Sequence, residues 1–241
     1  MEKLNDEKKV YVTELAAFFE VTEETIRRDL ERLEKEDQLH RSYGGAVLNE
    51  QTTGALSFAR RASLNNDDKS SIARKALRLI SNGSSLMVDA STTTLSLLQH
   101  LKSKKSLTII SNSARLIAES LDLPHTIIST GGQLRPNALS LTGAATEKML
   151  RSYYVDLAFI SCKAVDLKKG VLESNEAEAV IKQRMIKQAA RTYLLCDHSK
   201  LGGSAFFRIC ELPVLAGIIT DTNPGDGWTE YCEKHHIELI C

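Results

Sequence analysis

Five short polar clusters hold most of the side chains in this 241-residue sequence that could do chemistry. They are Asp89-Ala90-Ser91-Thr92-Thr93-Thr94, Ser111-Asn112-Ser113, Thr130-Gly131-Gly132, Ser161-Cys162-Lys163 and Asp197-His198-Ser199-Lys200. Ser91 to Thr94 precede the helical stretch TLSLLQHL, where backbone N–H groups and hydroxyls could converge on a phosphate. Taken alone, such a run is more often an N-cap cluster, since Ser and Thr are preferred caps. Arg135, just after the glycine pair, and Lys200 are possible charge partners for that phosphate, or else solvated loop charges. No G-x-G-x-x-G or G-x-x-x-x-G-K-[ST] run occurs, so neither a dinucleotide nor a P-loop nucleotide is expected, and no cofactor is assigned. His198 beside Asp197 suggests acid–base chemistry only weakly, because adjacent loop residues rarely face one substrate and no nucleophile sits in a recognisable motif. His235-His236 lacks further ligands at metal spacing, so no metal site is expected.

A second group of candidates lies in the first fifty residues. Thr13 can cap a short helix, TELAAFFE, with Leu15, Phe18 and Phe19 on one face, and Val21 then turns the chain. Thr22 caps the next helix, in which Ile26, Leu30 and Leu33 form the buried stripe while Thr25, Arg28 and Arg32 share another face, with Arg27 beside them. Glu23 and Glu24 sit in its first turn, where carboxylates suit the helix dipole. Helix, tight turn and a second helix with Thr and Arg early in its length are the sequence form of a helix-turn-helix. QLHRSYGGAVL follows, and Leu39 with Ala46-Val47 could form a hairpin around Gly44-Gly45, a wing presenting Arg41, Ser42 and Tyr43. The helix alone fits a solvated charged surface about as well; the Gly-Gly hairpin after it favours DNA. Candidate contacts are therefore Thr22, Glu24, Thr25, Arg27, Arg28 and Arg32 on the helix, with Arg41, Ser42 and Tyr43 in the wing.

The elements that must hold these residues fall into two domains. Residues 1–48 form the winged helix-turn-helix, 49–66 a linker without sustained periodicity, and 67–241 a larger α/β domain. Its strand-like runs SLMVD, LTIIS, HTIIST, LAFIS, TYLLC, GIITD and IELIC are mostly separated by helical stretches, which implies a largely parallel sheet. The polar clusters then fall at the carboxyl ends of strands, the edge where such sheets bind ligands. Net charge is zero overall, yet residues 1–50 hold 8 Lys+Arg against 13 Asp+Glu, so composition by itself argues against nucleic acid and any DNA contact must rest on placement. Five widely spaced cysteines, never in C-x-x-C, suggest buried thiols in a reducing cytosol. No apolar run approaches the ~18 residues that cross a bilayer, and the start lacks a signal peptide's apolar core, so a cytoplasmic protein without a membrane partner is expected.

The run VTEETIRRDLERLEKEDQLHRSYGGAV resembles the winged helix-turn-helix of the DeoR family of bacterial sugar-operon repressors, with T-I-R-R-D-L and G-G-A both present. DASTTT, SN, TGGQLRP, ESNEAEAVIKQRM and DHSKLGGSAF are similar to successive signatures of that family's sensor domain, whose fold is similar to ribose-5-phosphate isomerase and glucosamine-6-phosphate deaminase. The resemblance implies a DNA-binding repressor of a carbohydrate operon, not an enzyme, released from double-stranded operator DNA by a phosphorylated sugar. A homodimer or homotetramer on repeated half-sites is expected. Ser91, Thr92, Thr93 and Thr94 would match the phosphate loop, with Asp89, Glu176 and Lys200 at the site. Ser111, Asn112, Thr130, Gly131, Gly132, Arg135, Ser161 and Asp197 complete the candidate effector contacts. The family domain begins with a full helix, of which only MEKLN is expected here, and Cys162-Lys163 stand where the family usually has small residues. The alternative is a sugar-phosphate isomerase or deaminase with an N-terminal interaction module.

Overall fold

A computed structural model describes residues 9–35, 39–42, 44–48 and 56–241. MEKLN, Tyr43 and residues 49–55 of the expected linker lie outside them. In the N-terminal unit, β1 (Lys9–Tyr11) leads directly into α1 (Val12–Phe19), followed by α2 (Glu23–Lys35), β2 (Leu39–Ser42) and β3 (Gly45–Leu48). The strands form one antiparallel sheet in the order β1-β3-β2, so the hairpin read from the sequence gains a third strand. Ile26 and Leu30 of α2 bury against Val10, Val12, Leu15, Ala16, Leu39 and Ala46, with Leu33 partly buried beside them. Two expectations for α1 are corrected. The helix starts at Val12 with Tyr11, not Thr13, in the capping position and no side-chain cap bond. Val12, Leu15 and Ala16 turn inward, while Phe18 and Phe19, the last two residues of the helix, are 65% and 58% exposed.

The glycine pair has two separate causes. Gly44 adopts φ 78°, a left-handed turn that glycine enters without steric penalty, and its carbonyl accepts the Val12 N–H at 2.9 Å. Gly45 lies so close to β1 that an added Cβ would stand 2.0 Å from the Val10 carbonyl oxygen. Glu34 on α2 accepts the Arg41 N–H at 2.9 Å, fastening the helix to the wing and leaving the Arg41 side chain exposed.

The second unit begins earlier than the sequence suggested. Within the segment read as linker, α3 (Phe58–Ser63) is a helix capped by Ser57, Phe58 is 6% exposed, and its N–H donates to Asn137 O at 2.7 Å. Six residues are too few to display a helical period, which explains the misreading. α4 (Asn66–Leu77) leads into β4 (Ser85–Val88), α5 (Thr92–Leu98), β5 (Thr108–Ser111), α6 (Ala114–Glu119) and β6 (Thr126–Ser129). Next come β7 (Gln133–Arg135), β8 (Ser140–Thr142), α7 (Ala144–Leu150), β9 (Val155–Ile160), β10 (Ala164–Asp166), β11 (Gly170–Glu173) and α8 (Glu176–Lys187). The chain closes with β12 (Ala189–Leu195), β13 (Phe207–Cys210), β14 (Gly217–Ile219), α9 (Asp226–Lys234) and β15 (Glu238–Ile240).

All seven strand-like runs of the sequence join one seven-stranded sheet, ordered β15-β14-β12-β9-β4-β5-β6 and parallel throughout. Both faces are buried. Leu86, Val88, Leu157 and Phe159 pack with Ile72, Ala76 and Leu97 on one side, while Met87, Ala158 and Ile160 pack with Ala179, Met185 and Trp228 on the other. Covered faces explain why these strands read as continuous apolar runs. From β4 the chain steps through β5 and β6 to one edge, then restarts at β9 beside β4 and steps through β12, β14 and β15 to the other. The reversal between β4 and β9 opens a crevice beyond their carboxyl ends. The sequence did not anticipate the β7-β8 pair or the antiparallel β10-β11-β13 sheet, which flank this end. Cys162, Cys196 and Cys232 are buried as expected, but Cys241 is exposed.

Gly45→Ala tests the close approach of β1 to the wing. The substitution is expected to destabilise the N-terminal unit by about 1–3 kcal/mol through overpacking. Amide exchange should then accelerate at Val10 and Ala46 and stay unchanged in the parallel sheet; equal protection at Val10 and Ala46 would refute the close contact.

Candidate functional site

Asp89, the first residue after β4, builds the crevice. Its Oδ1 accepts the Ser91 N–H at 3.1 Å and the Thr94 hydroxyl at 2.8 Å, and its Oδ2 accepts the Ser161 N–H at 2.9 Å from the end of β9. Ser91 caps α5 by accepting the Thr94 N–H at 3.1 Å. One carboxylate thus shapes the loop after β4 and pins it to the loop after β9. Lys182 on α8 lies 3.4 Å from Asp89 and is hydrogen-bonded to Glu173 at the end of β11. Burial alone would pull the Lys182 ammonium down, but the charges of Glu173, Asp89 and Glu178 outweigh it and hold it above its ordinary range. Burial likewise pushes Glu173 up, and Lys182 overrides it, keeping the carboxyl below its usual range.

A cavity of about 670 Å³ opens here. Arg61, Lys69, Arg135, Lys163, Lys182 and Lys200 line it, together with Glu173, Glu178 and Asp197. With Asp89 just behind the wall, six positive and four negative groups leave an excess of two positive charges. Arg135 pairs with Glu178 at 3.5 Å and Lys200 with Asp197 at 3.6 Å, whereas Arg61, Lys69 and Lys163 have no carboxylate partner among the described residues. Lys200 Nζ also donates to Ser161 Oγ at 3.0 Å and lies 3.4 Å from Thr93 Oγ1. Lys69 is 4% exposed and donates to the carbonyls of Arg61 and Leu64, which close the end of α3. Burial, then the like charge of Lys200, pull its ammonium down to about 8. Burial also lowers Lys163 and pushes the Cys162 thiol in the same wall up to about 12, so that thiol stays protonated.

Of the candidate effector residues, Ser91, Thr92, Thr93, Arg135, Ser161, Asp197 and Lys200 line the cavity. The others are placed differently. Asp89 and Thr94 are fully engaged in holding the loop, as above. Ser111 donates to Val88 O at 2.7 Å, and Gly131 O accepts the Thr146 hydroxyl at 2.6 Å. Thr130 and Gly132 lie on the same turn, where a Cβ on Gly132 would stand 2.0 Å from Thr146 Oγ1; these β5 and β6 ends are not in the wall. Glu176 is exposed at the start of α8, and Glu178, two residues on, is the acid that reaches the cavity. His198 does not act with Asp197: its Nδ1 pairs with Asp221 at 2.7 Å, which raises its pKa. The sequence reading missed Arg61, Lys69, Lys182, Glu173 and Glu178. A signal for two of them was available, because Lys69 shares the apolar stripe of Ile72, Ala73 and Ala76, and Lys182 that of Ala179 and Met185.

On α2, Thr22 accepts the Thr25 N–H at 3.2 Å and thus caps the helix, and the two hydroxyls lie 2.9 Å apart. Arg27 pairs with Glu23 at 2.6 Å, so in this state it is not a free DNA contact. An exposed helical pair of this kind is worth only ~0.3–0.5 kcal/mol and yields readily to phosphate. Glu24 is exposed 3.9 Å from Arg27. Arg28 and Arg32 are exposed, with no ion pair among the described residues. Ser42 ends β2, and Tyr43 lies outside the described residues.

The family models match both units: one described as a DeoR-like helix-turn-helix domain covers residues 1–52, and one described as a DeoR C terminal sensor domain covers residues 64–222. The chain belongs to the DeoR family. It is 40% identical, over 92% of its length and 86% of the relative's, to the HTH-type transcriptional regulator YulB of Bacillus subtilis, itself uncharacterised. It is 31% identical to the L-fucose operon activator of Haemophilus influenzae (98% and 95% of the two chains) and 29% identical to the glycerol-3-phosphate regulon repressor of Escherichia coli K12 (95% and 91%). A ribose 5-phosphate isomerase from Methanocaldococcus jannaschii is 17% identical with a TM-score of 0.44, over 57% of this chain and 55% of that one. Membership of the DeoR family makes this chain a DNA-binding transcriptional regulator, and the isomerase or deaminase alternative gives way to it. No helix among the described residues is long and apolar enough to cross a membrane.

Two measurements probe the cavity. Lys182→Met leaves Asp89 and Glu173 facing each other without their cation and is expected to cost about 3–5 kcal/mol of sensor-domain stability in urea unfolding; a loss under 1 kcal/mol would mean that the buried cluster is not structural. Lys69 attracts an anion only while protonated, so affinity for inorganic phosphate should fall as pH rises through about 8. Calorimetry should show that this fall disappears in Lys69→Met; if it persists, another group is responsible.

Proposed function

We propose that this regulator represses a carbohydrate operon and leaves its operator when a phosphorylated sugar occupies the cavity. The observation that carries the reading is the excess of two positive charges at the strand reversal, which matches a phosphate monoester of charge roughly −2 at pH 7. Ser91, Thr93 and Ser161 supply hydroxyls beside those cations, and about 670 Å³ is an ordinary volume for a small-molecule site. Names of relatives support the class of operon: one regulator is named for an L-fucose operon and another for a glycerol-3-phosphate regulon, glycerol 3-phosphate being a phosphate ester.

Release would pass through α3. This helix is the first described element after the wing, and Arg61, Leu64 and Asn65 from α3 and the turn after it stand in the cavity wall. A phosphate drawn to Arg61 and Lys69 therefore acts on the segment that follows the DNA-binding unit, giving the liganded state contacts that the empty one lacks. On DNA, Thr25, Arg28 and Arg32 would enter the major groove and Arg41 would track the backbone. A homodimer or homotetramer on repeated half-sites supplies the contact area that one small module lacks. Such a protein works in the cytoplasm, where its operator is.

Fluorescence anisotropy with the DNA upstream of its own gene tests both halves. Arg28→Ala is expected to weaken specific binding by about 1–3 kcal/mol. Lys200→Met should bind operator as tightly as the unaltered protein and fail to leave it when sugar phosphates are added. Unchanged binding by Arg28→Ala would overturn the reading helix, and normal release of Lys200→Met would overturn the cavity as effector site.

A further inference from the structure

Asn112 lies outside the main wall but beside a recess of about 10 Å³, which it shares with Ser140, Ala90 and four residues of that wall, Arg61, Ser91, Glu178 and Lys182. The recess therefore lies against the cavity, with these four residues lining both. Asn112 is 3% exposed, and its Nδ2 donates to Leu141 O at 3.0 Å. That bond fixes the amide's orientation, because only the NH₂ end can donate to a carbonyl. The other end, Oδ1, is buried with no hydrogen-bond partner. Buried polar atoms almost always find a partner, so this oxygen marks a place for a donor. The recess is at the lower limit for a single water-sized group.

We infer that the recess takes one hydroxyl of the sugar portion of the ligand, which donates to Asn112 Oδ1. The inference rests on the phosphate reading of the main cavity and adds to it the recognition of the sugar. The cations of the main cavity attract any phosphate. Asn112 separates a hydroxylated ligand from one that carries hydrogen at the same carbon, because the latter leaves the acceptor unmet. Arg61 and Lys182, lining the same recess, supply N–H groups for the hydroxyl oxygen, which needs an acceptor role as well as a donor role.

The test uses the full chain and titration calorimetry with inorganic phosphate, ribose 5-phosphate, glucose 6-phosphate and fructose 1-phosphate. At least one sugar phosphate should bind about tenfold tighter than inorganic phosphate, the scale of one hydrogen bond. Asn112→Leu keeps the side-chain bulk without the acceptor; it should erase that margin and leave inorganic phosphate within about twofold. Monodeoxy derivatives of the tightest sugar phosphate, titrated into the unaltered protein, read the same contact without any change to the fold. One deoxy position should lose about tenfold. Equal binding of every deoxy derivative, or a margin that survives Asn112→Leu, overturns the inference and leaves the recess to a water. Binding of inorganic phosphate with no gain for any sugar overturns it too, while failure of inorganic phosphate itself overturns the cavity reading and the inference with it.

Discussion

The Asp89 carboxylate joins the two strands between which the sheet reverses direction. Its oxygens accept from the loop after β4 and from the loop after β9, and Lys182 stands behind it with Glu173. The strands beneath are already paired and the Asp89 N–H donates to Phe159 O at 3.2 Å; the carboxylate extends that tie beyond the strand ends to Ser91 and Ser161. With it, Ser91, Thr93, Ser161 and Lys200 are held around one volume. A buried charge cluster is weak evidence of stability in itself, since well-packed apolar groups often do as well. Its value here is positional, because apolar groups could not hold the Ser161 and Ser91 N–H groups at a common point.

The N-terminal unit meets a different constraint. It must present basic side chains from a segment that is acidic in total. Three acids of α2 are engaged locally: Glu23 and Glu24 sit at its positive end, and Glu34 accepts the Arg41 N–H. Arg28, Arg32 and Arg41 stay exposed. Net charge is therefore a poor guide to this domain, whereas the placement of individual charges along α2 is informative.

How much could be read before the structure depended on how many faces a segment buries. Strands covered on both sides carry apolar runs, as at residues 86–88 and 157–160, and were all legible, together with their parallel order. Strands of the second unit outside that parallel sheet, such as Ala164–Asp166, lie in no such apolar run and were not seen. In the site, hydroxyl clusters at strand ends were visible, but some serve the fold: Thr94 and Ser111 point to Asp89 and to the Val88 carbonyl. The cations were obscured because Lys69 and Lys182 are lysines within apolar helical stripes, and Arg61 belongs to a helix too short to announce itself. Their identification needs the third dimension, which brings residues 61, 69, 163 and 182 to one wall.

The position of Lys69 has a further consequence when its protons are counted. A charged ammonium has three N–H groups, and the carbonyls of Arg61 and Leu64 use two of them. The third remains for an anion, so a single nitrogen ties ligand and helix end together. A neutral amine keeps two N–H groups, enough for both carbonyls, and turns a lone pair toward the ligand instead. Loss of one proton would thus leave the end of α3 tied while removing its attraction for phosphate, so that the strength of the signal and the integrity of the element receiving it respond separately to pH.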